Sequence, residues 1–214
     1  PQGMVADLET LKGLVCLARK HDFVIAFDEC YSEIYDEEPP PGGLEACAAL
    51  GGALDHVLVF NSLSKRSSAP GLRSGFVAGD RAVLQSFKQV RDYGGAPPPL
   101  PLLAAATALW GDEAHVKANR ALYRQKFDQA EELLAGRFGF YRPPGGFYLW
   151  LDVGDGEAAA LKLWSDAALR VIPGVYLGRI DAVSGNPGAG YVRCAMVHDL
   201  ATTTTALTRL GDTL

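Results

Sequence analysis

The sequence predicts an α/β fold with a mostly parallel sheet and flanking helices, followed by a smaller α+β unit. Over the first 80 residues, helically spaced apolar residues alternate with short apolar runs, the order typical of such a sheet. After Gly136 the pattern changes to short strands around one helix. Residues 113–134 contain many good helix formers and few breakers, which predicts one connecting helix. We therefore expect two domains, 1–125 and 126–214.

The first elements follow from capping residues and apolar spacing. Asp7 is a suitable N-cap for a helix that ends near Lys20, where cations favour the negative end of the helix dipole. Residues 23–27 form a continuous apolar run, typical of a parallel strand buried on both faces. The pattern then predicts a loop to residue 43, a short helix at 44–50, and strands at 57–60 and 75–78.

The later elements are delimited by Asp, Gly and Pro residues. Asp80 can cap a helix that the Gly- and Pro-rich segment 94–99 ends, and an alanine-rich helix follows at 100–110. Beyond the connecting helix, the sequence predicts strands at 147–151 and 191–196, a helix at 158–170 and a surface loop at 179–190.

Composition and charge narrow the classes of function. The 214 residues are 48% hydrophobic and 21% charged, an ordinary globular composition. A net charge of −5 argues against a surface for nucleic acid or anionic membrane. No apolar stretch reaches about 18 residues, and the first residues lack the pattern of a signal peptide. We therefore expect a cytoplasmic protein without nucleic-acid or membrane partners.

The metal-binding residue types show no ligand pattern. The four cysteines have no Cys-x-x-Cys spacing and lie in or beside apolar runs, which predicts buried, reduced thiols rather than disulfides. The four histidines are scattered along the chain. We therefore predict no metal site.

A hydroxyl-rich turn after the strand at 57–60 carries Lys65 and, eight residues later, Arg73. An amine that forms an imine should stand on a rigid, partly shielded element, and a nearby phosphate would need hydroxyls and a guanidinium fork. This segment supplies both kinds of group, with hydroxyls at Ser62, Ser64, Ser67 and Ser68. The alternative interpretation is a solvated turn whose lysine has no function.

Asp28 follows the first predicted strand, so we expect it to face the same pocket as Lys65. Ligands of open parallel sheets collect outside the carboxyl ends of the strands. A carboxylate at the end of a buried strand needs a cation or a protonated ring nitrogen, and a pyridinium would suit it. Tyr31 adds a phenol that could bond a ring hydroxyl, and the alternative is a half-buried loop aromatic.

These residues together resemble the fold-type I aminotransferases of class I and II, which use pyridoxal 5′-phosphate. The matching motifs are Asp28-x-x-Tyr31, Ser62-Leu-Ser-Lys65 and Pro70-Gly-Leu-Arg73, and their intervals of 37 and 8 residues are typical of that family. The resemblance implies a fold-type I large domain with a small C-terminal domain. It also implies pyridoxal 5′-phosphate as cofactor, and an amino acid and a 2-oxo acid as substrates.

The resemblance further implies a role for each matching residue. Lys65 would bind the cofactor covalently and act as the catalytic base and acid. Asp28 would keep the ring nitrogen protonated and Tyr31 would bond the ring oxygen. Ser62 and Arg73 would bind the phosphate, with Ser64 as a weaker candidate.

A further match concerns the C-terminal strand. Tyr191-Val-Arg193 resembles the family's strand whose arginine binds the substrate α-carboxylate, a task suited to a planar fork. Taken alone, Arg193 could be a surface charge. Gly145-Gly-Phe-Tyr148 resembles a segment that approaches the substrate, or it could form a tight turn and a core strand.

Within the family, segments 97–100, 147–152 and 171–178 look similar to succinyldiaminopimelate aminotransferases of lysine biosynthesis, in which glutamate is the amino donor. Open alternatives are an aspartate or aromatic aminotransferase, a pyridoxal-phosphate-dependent β-lyase of the same fold, and the non-catalytic aminotransferase-like domain of a transcription regulator. The family resemblance implies a homodimer for the full-length protein.

The chain starts with Pro1 rather than Met, and Pro1-Gln2-Gly3 resembles the end of the family's Asn-Pro-x-Gly motif. We therefore expect a longer polypeptide. Its preceding part would contain that asparagine, a glycine-containing phosphate loop and an aromatic residue that stacks on the cofactor ring.

Overall fold

The computed structural model describes residues 2–95, 97–183 and 185–214. The chain divides into two compact units, one formed by Val5–Arg120 and the other by Pro1–Met4 with Ala121–Leu214. The assignment of domains 1–125 and 126–214 to cofactor binding and to a small domain stays a prediction.

The unit Val5–Arg120 contains a sheet and its flanking helices. Its helices are α1 Leu8–Lys20, α2 Gly43–Ala49, α3 Leu63–Arg66, α4 Arg81–Gly94 and α5 Leu100–Trp110, and the unit also holds the start of α6 Ala114–Leu134. Its strands are β1 Ile25–Asp28, β2 Val57–Ser62 and β3 Gly75–Gly79. The predicted caps of α1 and α4 are confirmed, because Asp7 accepts a bond from Thr10 N and Asp80 accepts bonds from Ala82 N and Val83 N.

The sheet of this unit has the order β1-β2-β3. β1 and β2 are parallel, whereas β2 and β3 are antiparallel. The mostly parallel sheet that the sequence predicts therefore has one antiparallel pair among the described strands. The reason is the connection between β2 and β3, which contains only the one-turn helix α3 and the 3₁₀ turn Pro70–Leu72. Neither is long enough to carry the chain back along a strand for a parallel crossover.

The prediction that the first strand is buried on both faces is wrong for this chain. Phe23 and Val24 are 45% and 46% exposed, and β1 begins only at Ile25. Within β1, Ile25 and Phe27 pack against the core formed with α1 and α2, whereas Ala26 and Asp28 are exposed. The central strand β2, by contrast, buries three consecutive apolar residues, namely Val57, Leu58 and Val59.

The second unit packs three helices on an antiparallel sheet. It contains the later turns of α6 and the elements β4 Tyr148–Asp152, α7 Gly156–Ala167, β5 Ile172–Pro173, β6 Tyr191–Ala195 and α8 Leu200–Thr213, with the strand order β4-β6-β5. Its core includes residues from the helices and from the sheet, among them Leu134, Leu149, Leu163, Val192 and Leu207.

Two elements of this unit differ from the sequence pattern. The helix predicted at 158–170 ends at Ala167, because Ala168 adopts a left-handed conformation with φ 53°. Helix α8 was missed, since its run of β-branched threonines has modest helix propensity. The helix forms because Asp199 caps it through Thr202 N at 2.8 Å and its apolar residues join the core.

The remaining predictions concern two loops, the cysteines, a metal site and membrane spans. Ala96, in the predicted break 94–99, and Ser184, in the predicted loop 179–190, lie outside the described residues. Cys47 and Cys194 are buried, as predicted, but Cys16 is exposed because it lies on a polar side of α1. Within the described residues, no three His, Cys, Asp or Glu side chains come together as metal ligands, and no helix is long and apolar enough to cross a membrane.

Two leucines of α7 offer a matched test of the second core. Leu163 is fully buried and Leu161 is 71% exposed. We expect Leu163→Ala to lower the free energy of unfolding by about 2–5 kcal/mol, because it leaves a cavity, and Leu161→Ala to change it by less than about 0.5 kcal/mol. Urea denaturation measures both, and equal losses in the two variants would contradict this packing.

Candidate active site

The parallel pairing of β1 and β2 determines where the candidate residues lie. Asp28 is in register with Phe60, and the next backbone amide, Glu29 N, donates to Phe60 O at 2.9 Å. β2 then ends at Ser62, immediately before α3. The loop that follows Asp28 and the turn that carries Lys65 therefore leave the sheet at the same edge.

The loop after β1 is also bonded to the end of β2. Asn61 lies at this edge, where its Nδ2 donates to Ser32 Oγ at 3.3 Å and its Oδ1 accepts from Ser62 N at 2.8 Å. Lys65 Nζ lies 5.7 Å from the centroid of the Tyr31 ring. The structure thus brings Tyr31 and Lys65 together.

Asp28 is oriented by its own loop. Its Oδ1 accepts a hydrogen bond from Cys30 N at 3.2 Å, a bond that a short carboxylate makes two residues along in a turn. The side chain is exposed, so the sequence argument that this carboxylate needs a charged partner to offset burial does not apply within this chain. That argument assumed a strand covered on both faces.

The charges of Asp28 and Lys65 both influence the pKa of the Cys30 thiol. Burial, a hydrogen bond with Asp28 and the negative charge of Asp28 raise the pKa of Cys30 to about 11, while the positive charge of Lys65 lowers it. The geometry links the same residues, because Asp28 is bonded to Cys30 N and the ring of the next residue, Tyr31, lies near Lys65 Nζ. Asp28, Cys30, Tyr31 and Lys65 therefore form one cluster, which we call the strand-end cluster.

Glu29, the residue next to Asp28, is bonded to the start of α2. Its Oε1 accepts a hydrogen bond from Gly43 N at 2.6 Å, at the start of α2, where Gly42 provides no side-chain cap. Burial raises the pKa of Glu29, although the bond from Gly43 lowers it. This contact fixes the backbone next to Asp28.

Ser62 is the N-cap of α3. Its Oγ accepts from Ser64 N at 3.1 Å and lies 2.9 Å from Ser64 Oγ and 3.2 Å from Ser74 O. Two hydroxyls and the first amides of the turn are therefore close together, which is the kind of donor set that a phosphate needs. Lys65, on the same turn, is half-buried.

The antiparallel return of β3 brings Ser74, the residue after Arg73, next to Ser62. Leu63 N donates to Ser74 O at 3.1 Å, and Ser62 is in register with Gly75. A Cβ on Gly75 would lie 2.4 Å from Asn61 O, so this close approach of two backbones requires glycine. Arg73 is exposed, has φ 50°, and donates from Nη1 to Pro70 O at 3.0 Å.

Arg193 lies in the other unit, on β6, between Trp150 of β4 and Ile172 of β5. Its guanidinium carbon is 4.3 Å from the centroid of the Tyr148 ring, and the side chain is half-buried. A cation at this distance over an aromatic ring is attracted to it and is restricted in orientation.

Residues 1–210 match a family model described as "Aminotransferase class I and II". The chain belongs to this family. Its members use pyridoxal 5′-phosphate, the cofactor that the sequence motifs predict.

Solved structures confirm the fold and add more distant relatives. An aminotransferase from Neisseria meningitidis is 46% identical, with a TM-score of 0.93 over 99% of this chain and 55% of that chain. A Thermus thermophilus structure described as a "probable N-succinyldiaminopimelate aminotransferase" is 28% identical, with a TM-score of 0.84 over 100% of this chain and 56% of its own.

Among curated relatives, the 4-dedimethylamino-4-oxo-anhydrotetracycline transaminase OxyQ of Streptomyces rimosus is 34% identical over 91% of this chain and 52% of its own length. The chain spans about half the length of the curated relatives that it matches.

The residues present fit the cofactor of this family. One edge of the sheet combines an amine, a carboxylate and a phenol in the strand-end cluster with the hydroxyls and guanidinium of the turn beside it. Sequence analysis missed three neighbours that hold these groups, Glu29, Cys30 and Asn61. The signal for Glu29 and Asn61 was available, because both are polar residues directly at the end of an apolar run.

The strand-end cluster can be tested through Cys30 without cofactor. Asp28→Asn removes a cause of the raised pKa, so we expect faster alkylation of Cys30 by iodoacetamide at pH 8.5. Lys65→Met removes the charge that lowers this pKa, so we expect slower alkylation.

Mass spectrometry of the Cys30 peptide, in a background with the exposed Cys16 replaced by Ser, measures both rates. A wild-type rate in either variant would place Cys30 away from the charge which that variant removes.

Proposed function

We propose that the full-length protein is a pyridoxal-phosphate-dependent aminotransferase that transfers an amino group between an amino acid and a 2-oxo acid. The observation that carries the proposal is the strand-end cluster, in which Asp28 is bonded to the loop that carries Tyr31 and the Tyr31 ring lies 5.7 Å from Lys65 Nζ. Ser62 and Arg73 adjoin this cluster through the return of β3. Membership of the aminotransferase family supports the same conclusion.

When bound, the cofactor supplies an electron sink for the carbanion at the substrate Cα. We assign to Lys65 the covalent attachment of the cofactor and the removal and return of the α-proton through Nζ. Its position on a capped turn suits both tasks, because the cap restricts the motion of the turn that carries it.

Asp28 and Tyr31 would set the electronic state of the cofactor ring. A carboxylate opposite the ring nitrogen keeps that nitrogen protonated, and a phenol donates to the ring oxygen. In the protein, the Asp28 carboxylate is oriented by Cys30 N, and Tyr31 lies next to Lys65. Ser62 and Arg73, with Ser64, would bind the phosphate through hydroxyls and a guanidinium fork.

We assign to Arg193 the binding of the substrate α-carboxylate. A guanidinium can donate two parallel hydrogen bonds to a carboxylate, and its stacking on Tyr148 restricts the orientation of the fork.

For the substrate, we propose glutamate as amino donor and a succinyldiaminopimelate-type partner in lysine biosynthesis, in a cytoplasmic homodimer. The similarity to the Thermus thermophilus protein described with that substrate supports this proposal. The similarity to OxyQ, whose name specifies a tetracycline intermediate, shows that relatives of this chain differ in substrate. Assay of the full-length protein against a panel of amino donors and 2-oxo acids, including succinyldiaminopimelate, tests the proposal.

The role of Lys65 has a direct spectroscopic test. In the full-length protein, we expect Lys65→Ala to abolish the visible absorbance of the lysine-bound cofactor and the transamination half-reaction, because no other group replaces its Nζ. Lys88→Ala, a control on exposed helix α4, should retain both. Normal turnover by the Lys65 variant would refute the assignment, and release of ammonia with pyruvate would instead indicate a β-lyase.

The role of Arg193 predicts a loss of substrate affinity. We expect Arg193→Gln to raise the KM for the amino donor about tenfold or more, because the carboxylate loses its charged partner. Arg209→Gln removes an exposed arginine of α8 in the same unit and serves as the control. Steady-state kinetics measure both, and an unchanged KM in the Arg193 variant would exclude this role.

A further inference from the structure

The turn that carries Lys65 is too short to be stable by itself. Helix α3 has only four residues, Leu63–Arg66, and a single helical turn fixes several dihedral angles for one backbone hydrogen bond. Contacts outside the turn must therefore hold it. Leu63 and Arg66, three positions apart on one side of the turn, are both buried, whereas Lys65 between them is only half-buried.

Arg66 is the polar anchor of this turn. It is 3% exposed, and its two terminal nitrogens bind two different acceptors. Nη1 donates to Leu109 O at 2.8 Å, one of the last carbonyls of α5, and Nη2 forms an ion pair with Glu113. The guanidinium carbon also lies 5.1 Å from the centroid of the Trp110 ring.

A planar fork suits this environment better than a single ammonium would. The two acceptors of Arg66 lie on separate residues, and the end of α5 favours a cation because its last carbonyls lack partners within the helix. A buried guanidinium without a carboxylate would be costly, so Glu113 stabilises the arrangement.

Ser67 and Ser68, the two residues after Arg66, also contact the start of α6. Ser67 Oγ lies 2.9 Å from His115 Nε2, and His115 Nδ1 lies 2.7 Å from Asp112 Oδ2. Ser68 Oγ donates to Asn119 Oδ1 at 3.1 Å. All three residues that follow Lys65 are therefore bonded to the segment between the end of α5 and the early turns of α6.

We propose that Arg66 is a positioning residue for Lys65, which holds α3 so that Nζ keeps its place beside Tyr31 and Asp28. This inference rests on the proposed function, because it assigns Lys65 to the cofactor. Removal of the Arg66 fork leaves α3 tied through the weaker serine contacts, and a displacement of about 1 Å at a reacting group can cost about 100-fold in rate.

The experiment uses the full-length protein with its cofactor and compares Arg66→Met, Arg66→Lys and Glu113→Gln with the exposed control Arg81→Met. Three quantities are measured: the midpoint of the pH titration of the visible absorbance of the lysine-bound cofactor, kcat and KM for the amino donor, and the thermal midpoint. The titration reports directly on the environment of Lys65, so a purely structural residue would not change it.

We expect Arg66→Met to shift the titration midpoint and to lower kcat about tenfold or more, with KM within about threefold, since the substrate contacts remain. Arg66→Lys and Glu113→Gln should give intermediate shifts, and Arg81→Met none. A lowered thermal midpoint with unchanged titration and kcat would overturn the proposal.

If Arg66→Met does not fold, Arg66→Lys and Glu113→Gln provide the test. A wild-type titration midpoint in both of these variants would overturn the proposal. Retention of the cofactor absorbance by Lys65→Ala would instead overturn the proposed function, so the two failures are distinguishable.

Discussion

The parallel pairing of β1 with β2 is the constraint on which the candidate site depends. Its register places Asp28 opposite Phe60, so that the chain leaves both strands at one edge of the sheet. A shift of one residue would turn the side chain of Asp28 to the other face, because side chains alternate along a strand. The residues on the core face of β1, Ile25 and Phe27, therefore hold the site in register by packing on α1 and α2.

The opposite charges of Asp28 and Lys65 at this edge of the sheet both act on Cys30. Cys30 experiences a negative charge from Asp28 and a positive charge from Lys65, with burial as the dominant influence on its pKa. The carboxylate is exposed and the amine is half-buried. The proposed cofactor would suit such an edge, because a protonated pyridine aldehyde has a cationic group for Asp28 and an electrophilic carbon for Lys65.

In the other unit, a series of contacts between aromatic rings leads to Arg193. Tyr123 and Phe147 have ring centroids 5.4 Å apart, Phe147 and Tyr148 have centroids 4.5 Å apart, and the guanidinium lies over Tyr148. Aromatic rings at these distances attract each other. Of the two interpretations of the Gly-Gly-Phe-Tyr segment, the core strand is confirmed, because Phe147 is buried and β4 begins at Tyr148, whereas its approach to a substrate stays a prediction.

The sequence alone determined the elements whose signals are local. Asp7 and Asp80 identify helix starts because a carboxylate near free backbone amides is stabilising wherever it occurs, and Val57 to Phe60 identifies a strand by composition. Spaced motifs likewise indicated the family, because the chemistry of one cofactor requires the same residue types at fixed intervals. The tertiary structure decided what depends on neighbours distant in the chain: the exposure of Asp28, the antiparallel return of β3 and the burial of Arg66. No local pattern encodes these features, since burial is set by which elements pack together, and the partners of Arg66 lie more than 40 residues away from it in the chain.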